Sequence, residues 1–196
     1  MKRKILLSAL FFLFSQMLSH AQQSSSSTNG LAALKAFVLE LPSLMTNIRT
    51  EAQLILLQTK LGDLKDDLDR VSSKKQQIAK KVRNADLQNM YTRQYLINDI
   101  RKAGNDVENI VKSLNDIKQI VRTPSTDRAL QIIRDSLQVK KEDVLERMVS
   151  DLRTSPFKVN KDQIMNDAIH AKTLADDAAI AIDDVIDKIS IQLEKL

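Results

Sequence analysis

The sequence offers few side chains that could hold a metal ion or act as a nucleophile. It has no Cys and two His, which excludes zinc fingers, thiol enzymes and disulfide scaffolds. Asp167 and His170 are three residues apart, the spacing with which helical bundles hold metals. Such a site needs a histidine from a second helix, and the other one, His20, lies near the N-terminus. We therefore interpret His170 as the edge of a packed helix face and predict no metal and no cofactor.

Carboxylates could provide general acid and base groups. The pairs Asp176-Asp177 and Asp183-Asp184 are seven residues apart and resemble a paired-carboxylate site. No nearby motif marks a nucleophile or a substrate, so we interpret them as the solvated face of a helix. The sequence predicts a protein that is not an enzyme; a helical enzyme or metal protein that uses His170 is the alternative.

A basic stretch at 74–102 is the candidate binding surface. It holds eight Lys and Arg against two Asp, and two tyrosines lie one helical turn apart. Cations beside stacking rings are typical of surfaces that bind nucleic acid, anionic lipid or glycan. The alternative is that these cations pair with acidic helices such as 161–196, and we do not expect nucleic acid to be the ligand. The candidate residues are Lys74, Lys75, Lys80, Lys81, Arg83, Tyr91 and Tyr95.

The N-terminus has the pattern of an export signal. A basic start, Met1 to Lys4, precedes an apolar run from Ile5 to Leu18, and Ser19-His20-Ala21 has small residues where a signal peptidase cuts. The run is shorter than the roughly 20 residues that a membrane span needs. We predict cleavage near Ala21, no transmembrane span afterwards, and a periplasmic or extracellular protein.

Most of the remaining chain has helical spacing. Residues 22–30 predict a flexible polar leader, and Pro42 and Pro124 separate predicted helices at 31–41, 43–122, 127–153 and 161–196. From Leu54 to Ala85 the apolar residues alternate three and four apart, with Lys75 as the polar exception. The pattern predicts an all-α fold, an elongated antiparallel bundle of long coiled-coil-like helices, which we treat as one helical unit at 31–196.

A second seam runs from Leu96 to Val121 and starts eleven residues after Ala85. A shift of a heptad plus four is a stutter that a continuous helix tolerates. We therefore expect one unbroken helix through 83–92, with a turn there as the alternative.

The order of signal, polar leader, short apolar helix and long heptad helices resembles exported helical components of bacterial conjugative transfer and type IV secretion, the minor-pilin class. The segments Tyr91-Thr92-Arg93-Gln94-Tyr95, Asn98-Asp99-Ile100 and Ile110-Val111-Lys112 are similar to such proteins. The resemblance implies a structural or adhesive role without catalysis and carries over no site residue.

These patterns favour an exported, non-enzymatic coiled-coil protein that docks an envelope partner or associates with itself through its heptad seams, within a secretion or conjugation apparatus. Binding of a polyanion through 74–102 is the second hypothesis.

Overall fold

The computed structural model describes residues 26–45, 48, 50–154 and 159–195. Within these ranges the secondary structure is helical and contains no strand, which confirms the predicted all-α class. The predicted export signal and residues 22–25 lie outside the described residues. The described ranges contain five helices, α1 (Ser26–Leu44), α2 (Glu51–Asn84), α3 (Met90–Ile120), α4 (Pro124–Thr154) and α5 (Lys161–Leu193).

The helices form an antiparallel bundle. The first half of α2 shares one apolar core with the second halves of α3 and α5 and the start of α4, and its second half shares another core with their opposite ends. Helix α2 packs against α3 and α5, while α1 packs against α4 and α5 at one end. With 34 residues, α2 is about 50 Å long, so the bundle is elongated.

The heptad seam explains why α2 has two neighbours. Of its ten positions from Leu54 to Ala85, every one except Lys75 is buried, as the spacing predicts. A seam of apolar residues like this one packs into the space between two neighbouring helices. Each fully buried leucine contributes about 1.5–3 kcal/mol to stability. Five leucines of this seam are 1% exposed or less: Leu54, Leu57, Leu61, Leu64 and Leu68.

Polar pairs flank this seam on the side of α3. At intervals of seven residues, the side chain that directly precedes a seam residue of α2 contacts α3. We call these contacts the α2–α3 ladder. Its members are Asp67 with Ser113 (Oδ2 to Oγ, 2.7 Å), Lys74 with Asp106 (Nζ to Oδ2, 2.5 Å) and Lys81 with Asp99.

A second set of polar pairs, the α2–α5 ladder, flanks the seam on the side of α5. Its members are Gln58 with Ser190 (Nε2 to Oγ, 2.9 Å), Lys65 with Asp183 (Nζ to Oδ2, 3.4 Å) and Ser72 with Asp176. The pairs again repeat every seven residues on both helices. Because a slip by one residue would break every pair, the two ladders fix the register of α2 against both neighbours.

The expectation of a continuous helix across 83–92 is wrong, because the chain folds back between α2 and α3. Asn89 caps α3: its Oδ1 accepts from the backbone N–H of Tyr91 at 2.9 Å and of Thr92 at 3.3 Å. Arg93 Nη1 donates to the carbonyl of Leu87 at 3.0 Å and holds the turn closed. The reversal lets the two seams bury each other, which a straight helix cannot do within one chain.

The predicted start of the second helix at 43 is also wrong. Helix α1 begins at Ser26, so 26–30 is helical and not leader, since extending a nucleated helix costs little. It continues through Pro42 to Leu44, with Ser43 Oγ donating to the carbonyl of Glu40 at 2.7 Å. Helix α2 starts eight residues later than predicted, where Thr50 accepts from the N–H of Gln53 at 3.3 Å.

The later boundaries follow proline and cap chemistry more closely. Helix α4 starts at Pro124 and not at 127, because proline suits the first helical position and Thr123 Oγ1 accepts from the N–H of Thr126 at 3.1 Å. Asn160 caps α5, its side-chain oxygen accepting from the N–H of Gln163 at 3.1 Å. One face of α5, which we call the α5 seam, is buried at eight positions with heptad-like spacing, among which Ala171, Ala175 and Ala178 are fully buried: Ile164, Ala168, Ala171, Ala175, Ala178, Ile182, Val185 and Ile189.

The alanine seam of α5 generates a stability prediction. Ala175→Leu should lower the free energy of unfolding by about 1–3 kcal/mol, because a larger side chain there forces α5 away from its neighbours. The matched control is Ala52→Leu, at an exposed position of α2. Chemical denaturation followed by circular dichroism measures both; equal stability of the two variants would contradict this packing.

Candidate interaction surface

The seven residues predicted as a binding surface do not form one site. Lys74 and Lys81 belong to the α2–α3 ladder, where they pair with Asp106 and Asp99. Lys75 lies in the seam and is partly exposed. Their positions within the heptad direct these three lysines towards neighbouring helices, although Lys81 remains exposed and also lines a groove beside Tyr95.

The other four candidate residues lie together at the turn between α2 and α3. Tyr91 and Tyr95, the two tyrosines of the sequence, are 72% and 69% exposed. Lys80 and Arg83 are exposed on the last turns of α2, and neither forms a hydrogen bond or ion pair within the described part of the chain. The structure thus brings two aromatic rings and two unpaired cations to one end of the bundle.

The tyrosines begin an exposed face that runs down α3, opposite its buried seam. We call this face the α3 stripe; it consists of Tyr91, Tyr95, Asn98, Arg101, Lys102 and Lys112. Of its cations, Arg101, Lys102 and Lys112 make no ion pair with another described residue. The predicted site omitted these three. The sequence held a signal for them, because their spacing from Tyr91 places them on the side of α3 that faces away from its seam.

A shallow groove separates the end of α2 from the start of α3. It is lined by Lys80, Lys81, Asn84, Ala85, Thr92, Tyr95 and Leu96. The ring of Tyr95 therefore borders both this groove and the α3 stripe. Because Asn89 and Arg93 close the turn, the backbone that carries the rings is held in place before any partner binds.

Lys75 and Asp167 face each other across α2 and α5. Burial lowers the pKa of Lys75, opposed by the charge of Asp167. Burial also raises the pKa of the Asp167 carboxyl, opposed by the charges of Lys75 and His170. Asp167 thus has a lysine as well as His170 near it, while His170 itself is exposed. Lys75 and Asp167 therefore resemble the polar pairs that occur at single positions within an apolar helix seam.

The acidic pairs of α5 are divided between neighbouring helices. Asp177 pairs with Lys35 of α1 at 2.7 Å, and Asp176 and Asp183 belong to the α2–α5 ladder. The interpretation of these residues as a solvated helix face therefore describes Asp184. Asp176, Asp177 and Asp183 also pair with side chains of neighbouring helices. The hydrogen bonds that Asp176 accepts from Lys172 and Ser72 outweigh its partial burial and lower its pKa.

Across the described ranges, no three His, Cys, Asp or Glu side chains cluster closely enough to hold a metal ion. The helices in those ranges include none with a stretch long and apolar enough to span a membrane.

Comparison with known proteins finds no matching family model, no similar curated protein and no similar solved structure.

The seam lysine generates a prediction about stability and pH. Lys75→Met should raise the free energy of unfolding by about 1 kcal/mol, because it removes a partly desolvated charge from an apolar seam and Asp167, which is itself partly exposed, keeps its contact with water. In the original protein the folded state binds the Lys75 proton less tightly than the unfolded state. Its stability therefore rises as the pH increases towards the ordinary lysine pKa, and the variant loses that rise.

Denaturant titrations at neutral and alkaline pH measure both effects. Lys80→Met, at an exposed position of the same helix, is the control and should leave stability and its pH dependence nearly unchanged. A large loss of stability in Lys75→Met would show that the lysine is a required structural group.

Proposed function

We propose that this chain is an exported, non-enzymatic helical protein of the bacterial envelope that works by docking a protein partner at the turn between α2 and α3. The observation that carries the proposal is the exposure of both tyrosines, 72% and 69%, at one end of a long bundle. In a chain with so few aromatic residues, a core would be the expected place for them.

The chemistry of this end suits protein recognition. Tyrosine provides a large contact area with few rotatable bonds, which is why it is enriched among the residues that dominate binding energy. The unpaired Lys80 lines one groove with Tyr95, Arg83 follows it on the last turn of α2, and both cations favour an acidic partner. Because the neighbouring Lys74 and Lys81 are held in ion pairs, Lys80 and Arg83 are the cations of this part of α2 that remain available to a partner.

Export and pathway enter the proposal from the sequence. The N-terminal pattern of basic residues, apolar run and small residues supports secretion, and the resemblance to minor pilins supports a place in a conjugation or secretion apparatus. An elongated bundle with its contact residues at one end would suit a subunit that bridges two components of such an apparatus.

Site-specific photocrosslinking in cells tests this proposal. A benzophenone amino acid at Tyr95 should form an adduct with an envelope protein, whereas the same group at exposed Gln131 of α4 should not. A variant lacking residues 2–21 stays in the cytoplasm and should lose the adduct. Adducts of equal yield at both positions, or none at Tyr95, would contradict docking at this end.

Binding of a polyanion is the second candidate, because Lys80, Arg83, Arg101 and Lys102 are exposed cations without described ion pairs. Retention on heparin should then fall steeply with salt and should disappear in Lys80→Glu/Arg83→Glu/Lys102→Glu. Changes at Lys74, Lys75 or Lys81 would be uninformative, since they disturb the ladder or the seam. Unchanged retention of the triple variant would rule out this surface as the binding site.

A further inference from the structure

Helix α5 exposes a regular apolar and acidic face to solvent. Ile169, Ile180 and Ile191 are 42%, 63% and 51% exposed. They are eleven residues apart, three helical turns, so they line up along one side of the helix at intervals of about 16 Å. Asp184 and Asp187 lie exposed on the same side, and we call these five residues the α5 stripe.

The α5 stripe is separate from the packed face of the helix. All eight seam positions of α5 are buried, so the fold does not need the three isoleucines. An aligned row of exposed apolar side chains that also carries charge of one sign is typical of a contact surface. Neither Asp184 nor Asp187 forms an ion pair or hydrogen bond with another described residue.

The α3 and α5 stripes face opposite sides of the bundle. Helices α3 and α5 both pack against α2, yet they do not approach each other within the described part of the chain. They are thus diagonal in the bundle, and their exposed faces point away from each other. One molecule therefore cannot bring its own two stripes together.

The two stripes are complementary in charge and in length. The α3 stripe joins two tyrosines to three unpaired cations, Arg101, Lys102 and Lys112, beside which the exposed Glu108 is acidic. The α5 stripe joins three isoleucines to two unpaired aspartates. From first to last residue each stripe covers about 32 Å of helix. The cations of the α3 stripe can therefore pair with the aspartates of the α5 stripe, and the tyrosine rings can pack against the isoleucines.

We infer that the partner of the α3 stripe is a second copy of this chain, which binds through its α5 stripe. This inference rests on the proposed function, since it identifies the protein partner that the exposed tyrosines dock. The contact joins two different surfaces, so each added copy still presents one free stripe of each kind. Such a contact produces an open-ended chain of molecules unless its geometry closes a ring.

Two one-sided variants test the pairing. Arg101→Glu/Lys102→Glu disables the α3 stripe, and Ile180→Asp/Ile191→Asp disables the α5 stripe, all at exposed positions. Because both variants add negative charge, the two altered stripes repel each other in a mixture. In sedimentation velocity at low salt, the purified exported protein should form larger species as its concentration rises. Each variant alone should stay monomeric, and an equal mixture should form a dimer and nothing larger, because each partner keeps one intact stripe.

The controls separate charge from folding. Asp151→Lys, at an exposed position on α4, should assemble like the original protein, and thermal unfolding should show that all variants are folded. A monomer at every concentration, assembly by either variant alone, or a mixture that stays monomeric would overturn the inference. A monomeric protein that still forms the Tyr95 adduct with another envelope protein would overturn this inference and leave the proposed function standing.

Discussion

The apolar seam of α2 has to be covered by two helices at once, and most of the structure is organised by that requirement. Its leucines are too many for one neighbour, so α3 and α5 pack on either side of it. The α2–α3 and α2–α5 ladders then place polar pairs at the two edges of the seam, each repeating every seven residues. Leucine burial provides the stability, and the ladders select one register among those that leucines alone would permit.

The same constraint determines which cations remain for binding. Within the basic stretch, a lysine just before a seam position, such as Lys74, pairs with α3, while Lys80 points outwards and has no described partner. A linear count of charges cannot make this distinction, but the position within the heptad can. Because α3 and α5 lie on two sides of α2, the surfaces they expose are also kept apart, and their outward faces point in opposite directions.

The sequence predicts the helices and their buried faces well, because periodicity reports which side of a helix is apolar. It predicts less well where helices end. The stutter between Ala85 and Leu96 allows both a straight helix and a turn, and the choice depends on burial of one seam against the other, which is a tertiary effect. The cap at Asn89 was the local signal for the turn, and Thr50 was the corresponding signal for the start of α2.

The binding surface was only partly predictable, because it too depends on which helices become neighbours. Tyr91 and Tyr95 could be chosen from their spacing, but whether such a pair packs or stays exposed depends on which side of α3 faces α2. The pairing of Asp176 and Asp183 with α2, like that of Asp177 with α1, also depends on which helices become neighbours. No single segment of the sequence contains that information.

The register of α2 against α3 and α5 is the central claim, and disulfide formation measures it directly in a chain that contains no cysteine. The double variants Ser72→Cys/Asp176→Cys and Asp67→Cys/Ser113→Cys should form disulfides on mild oxidation, since the original side chains are in hydrogen-bond contact. Pairs shifted by one heptad, Ser72→Cys/Asp183→Cys and Asp67→Cys/Asp106→Cys, should not, because they are displaced by about 10 Å along the helix. Equal oxidation of matched and shifted pairs would contradict the fixed register on which the placement of both stripes depends.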